Sequence, residues 1–200
     1  MNFMNSSIWI RIALTLGAFA PLACGGRVDE EETTALESEA FSKTPPPPLP
    51  SPLLEVPAGN RLAMSFHAEG VQIYACTASG ATYAWVFQAP EAKLYDRHRH
   101  VVMTHYAGPT WEARDGSKVV GAKRAGVTVD PTAIPWLLLE AVSHTGDGRV
   151  SEVTFIQRLD TTGGLAPATG CDATTVGALA RMDYTATYSF YRAKDEGDCH

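Results

Sequence analysis

From residue 58 onward the chain runs in short segments of alternating apolar and polar residues, each closed by Gly, Pro, Asp or Ser. Alternation with a period of two puts every second side chain on one face of an extended backbone, so these segments predict half-buried β-strands. Leu62, Met64 and Phe66 alternate with Ala63, Ser65 and His67. Further strands are expected over residues 71–77, 81–87, 100–106, 111–114, 118–123, 135–142 and 150–159. The clearest comes last, where Tyr184, Ala186, Tyr188 and Phe190 alternate with Thr185, Thr187, Ser189 and Tyr191. Ala78-Ser79-Gly80 and Gly146-Asp147-Gly148 fit hairpin loops, and Asp115-Gly116 suits a type I′ turn. No window sustains a helical stripe. Leu137, Leu138 and Leu139 follow Pro135 and Trp136 and read as a strand buried on both faces, while Asp130-Pro131 fits a single helical turn. The expected fold is all-β: a single β-sandwich or a closed β-barrel of about nine strands, with at most short helical turns. Alternation alone does not choose between the two.

The remainder of the chain carries no such pattern. Residues 1–23 read as a signal peptide, with Arg11 ahead of an apolar run over residues 12–20 that is shorter than the roughly 20 residues a membrane span needs. Leu22-Ala23-Cys24 resembles the lipobox of bacterial lipoproteins, which makes Cys24 the expected lipidated N-terminus, although Pro21 stands where that box usually has an aliphatic residue. Ordinary cleavage after Ala18-Phe19-Ala20 is the alternative, and Pro21 directly after that cut works against it. Residues 24–55 form an acidic, proline-rich tether, in which Pro45 to Pro48 favour an extended polyproline conformation. Residues 56–192 are the all-β domain and residues 193–200 a flexible tail. The formal charge of −6 comes largely from the tether, where Asp29, Glu30, Glu31, Glu32, Glu37, Glu39 and Glu55 face only Arg27 and Lys43. A near-neutral domain lacks the basic footprint that phosphate backbones require, so nucleic acid is not an expected partner. The expected partner is a membrane, reached through the N-terminal lipid. The chain is then exported and anchored to the outer or cytoplasmic membrane, facing the periplasm or the exterior.

Export bears on the four cysteines. With Cys24 acylated, Cys76, Cys171 and Cys199 remain and one is left over. An oxidising compartment permits a disulfide, with Cys76–Cys171 the favoured pair and two buried thiols the alternative. No C-x-x-C occurs, and no metal site is expected.

Several motifs match a known family in order. Among them are Phe66-His67-Ala68-Glu69-Gly70-Val71-Gln72, Ala84-Trp85-Val86-Phe87-Gln88, and His105-Tyr106-Ala107-Gly108-Pro109-Thr110-Trp111-Glu112. Ile134-Pro135-Trp136, Ile156-Gln157-Arg158-Leu159 and Gly170-Cys171-Asp172 continue the series. Over Val56 to Tyr191 the chain resembles an uncharacterised exported family catalogued as domain of unknown function three-four-five-five. The resemblance implies an exported product and supports treating Cys76 and Cys171 as a pair. It implies no activity.

Motifs for common chemistries are missing: there is no G-x-S-x-G elbow, H-E-x-x-H helix, Walker loop or G-x-G-x-x-G after a strand. No cofactor is expected. His98 and His100, with His105 nearby, have spacing that could hold a transition metal, but an Arg/His-rich solvated turn explains them more simply. The densest chemistry is His105, Tyr106, Trp111 and Glu112 around Gly108-Pro109, joined by Gln157 and Arg158. These six are the candidate ligand-binding residues, with Glu69 or Glu112 the carboxylate a buried Arg158 would need. Aromatic residues at strand ends also serve simply to close a barrel. The expected function is a membrane-tethered binding domain for a small ligand or surface polymer. The alternatives are a cofactor-free extracellular hydrolase or lyase using His105 and Glu112, and a structural or inhibitory surface protein.

Overall fold

The computed structural model describes residues 49–194. The predicted signal peptide, Cys24, most of the tether and Cys199 lie outside the described residues. A short 3-10 helix, Pro52–Leu54, precedes eight strands: β1 (Asn60–Ser79), β2 (Thr82–Tyr95), β3 (Val101–Tyr106), β4 (Thr110–Ala113), β5 (Lys118–Val127), β6 (Trp136–Thr145), β7 (Val153–Gly163) and β8 (Leu179–Ala193). Each strand pairs antiparallel with its neighbour in sequence, and β8 closes on β1. The fold is therefore an up-and-down barrel, which leaves no unpaired sheet edge along its closed girdle. Among the described residues no helix is long and apolar enough to cross a membrane.

Eight strands replace the expected nine because residues 62–67 and 71–77 belong to one long strand. Gly70 between them is not a turn. A Cβ there would lie 2.2 Å from the Glu91 carbonyl oxygen and 2.5 Å from the Ala92 Cα, so glycine is required by the close approach of β1 to β2. One local expectation also changes. In the β4–β5 connection only Gly116 takes a positive φ, 85°, whereas a type I′ turn needs one at both central positions. Asp115 acts through its side chain instead: its carboxylate accepts from Ser117 N (2.9 Å), Ser117 Oγ (2.6 Å) and Arg149 N (2.8 Å). These bonds, led by the Ser117 hydroxyl, hold the Asp115 carboxyl down to about 2 and draw the β6–β7 loop over this end of the barrel. Asp130 caps a single hydrogen-bonded turn, its carbonyl accepting from Ala133 N at 3.2 Å and its Oδ1 from Thr132 N and Oγ1 at 2.7 Å each.

The alternation read in β8 is the alternation observed. Tyr184, Ala186, Tyr188 and Phe190 all point inward and are buried. Leu94, Met103, Val119, Val153, Ile156 and Phe190 belong to one cluster that fills the end where β1 begins and β8 finishes; burying each such side chain contributes about 1.5–3 kcal/mol. The folded unit also reaches further upstream than expected. Ser51 Oγ accepts from Leu53 N, Leu54 is completely buried, and Gln157 Nε2 donates to the Leu54 carbonyl at 2.7 Å. Residues 52–54 thus dock onto the outside of the barrel and are not free tether.

At the opposite end the β1–β2 hairpin is braced by the β7–β8 loop. Cys76 and Cys171 form a disulfide with Cα atoms 5.3 Å apart. Beside it, Cys76 N donates to the Ala178 carbonyl and Gly177 N to the Cys76 carbonyl, both at 2.9 Å. Trp85 Nε1 to the Thr169 carbonyl (2.9 Å) and Tyr74 hydroxyl to the Gly164 carbonyl (2.7 Å) complete the brace.

Candidate functional site

Whether a residue near Gly108 faces the barrel interior is decided by hairpin register. His105 pairs with Trp111 and Thr104 with Glu112. The first pair points inward, where His105 and Trp111 are almost fully buried; the second points out. Tyr106 follows the outer face and donates to Glu112 Oε2 at 2.8 Å, with Lys118 Nζ 3.2 Å from the same oxygen. Bonds from Tyr106 and then Lys118 hold the Glu112 carboxyl below its usual range. Adjacent Gln157 and Arg158 likewise face opposite ways. Gln157 lies under Leu54 and accepts from the Tyr191 hydroxyl at 2.7 Å. The six predicted residues are therefore divided: His105, Trp111 and Arg158 share the interior, while Tyr106, Glu112 and Gln157 lie outside it. The expected His105–Glu112 catalytic pair is not assembled. Nor does Arg158 meet a carboxylate, since Glu69 pairs with Arg99 at 2.7 Å and Glu112 with Lys118.

The interior residues line a cavity of about 500 Å³. It exists because the β3–β4 hairpin is short. β2 meets β3 only from Ala92 to Tyr95, and β4 meets β5 only from Thr110 to Glu112. Above the hairpin, Phe87, Gln88 and Pro90 of β2 face Gly121, Ala122 and Lys123 of β5 across Gly108-Pro109. Trp111 and Tyr188 close the depth, and Leu137 and Leu139 of β6 form the far wall. At Gly121 a Cβ would lie 3.1 Å from Trp111 Cζ3, so the missing side chain lets the indole lie against the β5 backbone.

Three observations define the electrostatics. First, His105 is neutral: burial, with the positive field of Arg158 adding to it, drives its imidazole down to about 3 against the pull of the Thr110 carbonyl. That carbonyl lies 2.9 Å from Nδ1, so Nδ1 carries the proton and donates. The ring stacks on Trp111 with centroids 4.3 Å apart and meets the edge of Tyr188 at 5.1 Å. Second, Arg158 is oriented by a neutral acceptor. Thr161 Oγ1 donates to the Ile134 carbonyl (2.5 Å) and Ile134 N to the Gly163 carbonyl (2.9 Å), which fixes the segment before β6. The next carbonyl, that of Pro135, then accepts from Arg158 Nε at 3.1 Å and Nη2 at 2.8 Å. Third, the indole of Trp111, 1% exposed, holds a buried N–H donor, Nε1, with no partner, whereas the buried amide of Gln72 is turned toward the Tyr184 hydroxyl. Leaving such a donor unsatisfied costs about 1–3 kcal/mol.

Gln72, Lys123 and Tyr188 were not among the predicted site residues. A signal for Gln72 was present: it is the polar member of the face that also carries Ala68, Gly70, Tyr74 and Cys76. His98 and His100 sit on an exposed turn with rings 6.1 Å apart. Among the described residues no three potential ligands gather around a metal position.

The molecule is thus a closed eight-stranded antiparallel barrel with one hydrophobic core and a cavity above the short β3–β4 hairpin. The chain belongs to the family described as protein of unknown function DUF3455, whose model matches residues 57–192. No curated protein and no solved structure matches it.

Proposed function

We propose that this chain is an exported, membrane-tethered binding protein that takes a small ligand into the open end of its barrel. The cavity carries the reading: it lies at the mouth of a braced β scaffold, is walled mainly by apolar side chains, and exposes a few convergent polar groups. Its volume suits a drug-sized molecule better than a polymer strand, which would need a groove open at both ends. Catalysis is less well supported. No carboxylate, hydroxyl nucleophile of Ser or Thr, or thiol lines the cavity, and an imidazole held near 3 is a weak general base at neutral pH. The disulfide agrees with an oxidising compartment.

A neutral apolar dye, N-phenyl-1-naphthylamine, should brighten on adding the purified full chain and lose that response in Leu137→Trp, which fills the cavity from β6. Absence of any response by the wild type would remove the ligand-binding reading. The tether is tested separately: a fatty-acid probe should label the wild type in cells and not Cys24→Ser, and equal labelling of both would refute lipidation at Cys24.

A further inference from the structure

We infer that the ligand is an amphipathic monocarboxylate, its head held by Arg158 and its apolar body lying toward β2 and the β3–β4 turn; this rests on the binding reading above. Five carboxylates outside the cavity are neutralised by cations. Glu69, Glu91, Glu112, Glu140 and Glu152 pair with Arg99, Arg181, Lys118, Arg124 and Arg192. The cavity contains two cations, Arg158 and Lys123, and no acidic side chain. Neither cation has a carboxylate partner among the described residues. A half-buried guanidinium answered by the Pro135 carbonyl and the Tyr188 hydroxyl, both neutral, keeps an uncompensated positive charge in a low-dielectric setting, which an anion would stabilise. His105, being neutral, adds nothing to that charge.

The unpartnered indole donor agrees with this. Trp111 Nε1 is an N–H group, and carboxylate oxygens are acceptors. The layout also has two sides. Arg158 stands opposite Leu137, and Lys123 opposite Leu139, so the cations flank β6 from β7 and β5. β2, four strands from β6 in either direction around the ring, presents Phe87 and Pro90, with Pro109 beside them. A molecule with one charged end and one apolar end matches this division. One negative charge fits better than two, because Arg158 alone is held within the wall whereas Lys123 is exposed at the rim, where water and salt screen it.

The test compares ligands that share a chain and differ in head group. Decanoate, 1-decanol, decylamine and decyl phosphate are titrated into the full chain by calorimetry at pH 7. Decanoate should bind at least about tenfold more tightly than decanol, as expected for a charge-assisted hydrogen bond. Decylamine should bind more weakly than either. Arg158→Met should erase the advantage of decanoate while keeping the affinity for decanol, and Lys123→Met, a rim change safe for folding, should reduce it less. Equal affinities, or a preference for the amine, would overturn the inference, and tighter binding of decyl phosphate would overturn the monoanion. If none of the four binds while the naphthylamine dye does, the carboxylate assignment fails and the binding reading stands. If the dye fails too, both fall.

Discussion

Replacing Cys76 and Cys171 together by alanine is expected to lower the unfolding free energy by about 3–5 kcal/mol. The bond joins residues 95 apart in sequence, and on the chain-entropy account a loop of that length contributes up to about 4.7 kcal/mol by restricting the unfolded chain. Against a typical total of about 5–15 kcal/mol, this is a large share. The native side adds to it. The disulfide fixes the β7–β8 loop against β1, and the bonds from Trp85 to Thr169 and Tyr74 to Gly164 depend on that loop staying in place. Urea titrations of the oxidised wild type and the double variant measure the difference. A loss below about 1 kcal/mol would show that the strand-like bonds of Cys76 with Gly177 and Ala178 hold the loop unaided.

The fold was legible wherever alternation was long, because a period of two identifies a strand and its faces together. β8 shows this, with Tyr184, Ala186, Tyr188 and Phe190, one full set of its alternation, all buried. Barrel closure was not legible, since it rests on the pairing of β1 with β8 across more than a hundred intervening residues. Gly70 misled for a local reason. In sequence, a glycine that permits two backbones to touch looks the same as a glycine that permits a turn.

The site was half legible, and the division has a simple geometric cause. A turn centred on Gly108 pairs residue 105 with 111 and 104 with 112, so His105 and Glu112 fall on opposite faces. Chemical density along the chain drew attention to the right hairpin, but density ignores the pleat. Arg158 and Gln157 repeat the lesson, being neighbours in sequence with a barrel wall between their side chains. Lys123 could not be found this way. It lies just before the bulge that shifts the β5–β6 register between Lys123 and Ala125, and its place at the rim depends on how short the neighbouring hairpin is.

Acidification should destabilise the domain well before its carboxylates titrate, and His105 should be the cause. Its folded value, about 3, lies below the ordinary 6.5 of the unfolded chain. Between those values the unfolded state binds a proton that the folded state refuses. Stability is therefore fully present above about pH 6.5 and falls as the pH drops toward 3. At about 1.4 kcal/mol per pH unit, the loss is about 2 kcal/mol by pH 5 and about 5 kcal/mol by pH 3. Glu69, Asp96, Glu112, Asp115, Asp130 and Asp172 have folded values lowered from the usual carboxylate range. Their contributions are present above their unfolded values and lost only below them, at about pH 4 and under, so none of these carboxylates contributes to the slope between pH 6.5 and 5. His105→Gln can still donate to the Thr110 carbonyl and does not titrate. It should lose stability at pH 7, because the ring stacked on Trp111 is gone, yet show no slope across that interval. Glu112→Gln, on the outer face, should keep the wild-type slope. Urea midpoints at half-unit steps of pH decide the matter, and parallel profiles for the wild type and His105→Gln would refute it. The same neutrality shapes the cavity, because a protonated His105 would place a third positive charge beside Arg158 in a space with no carboxylate to balance it.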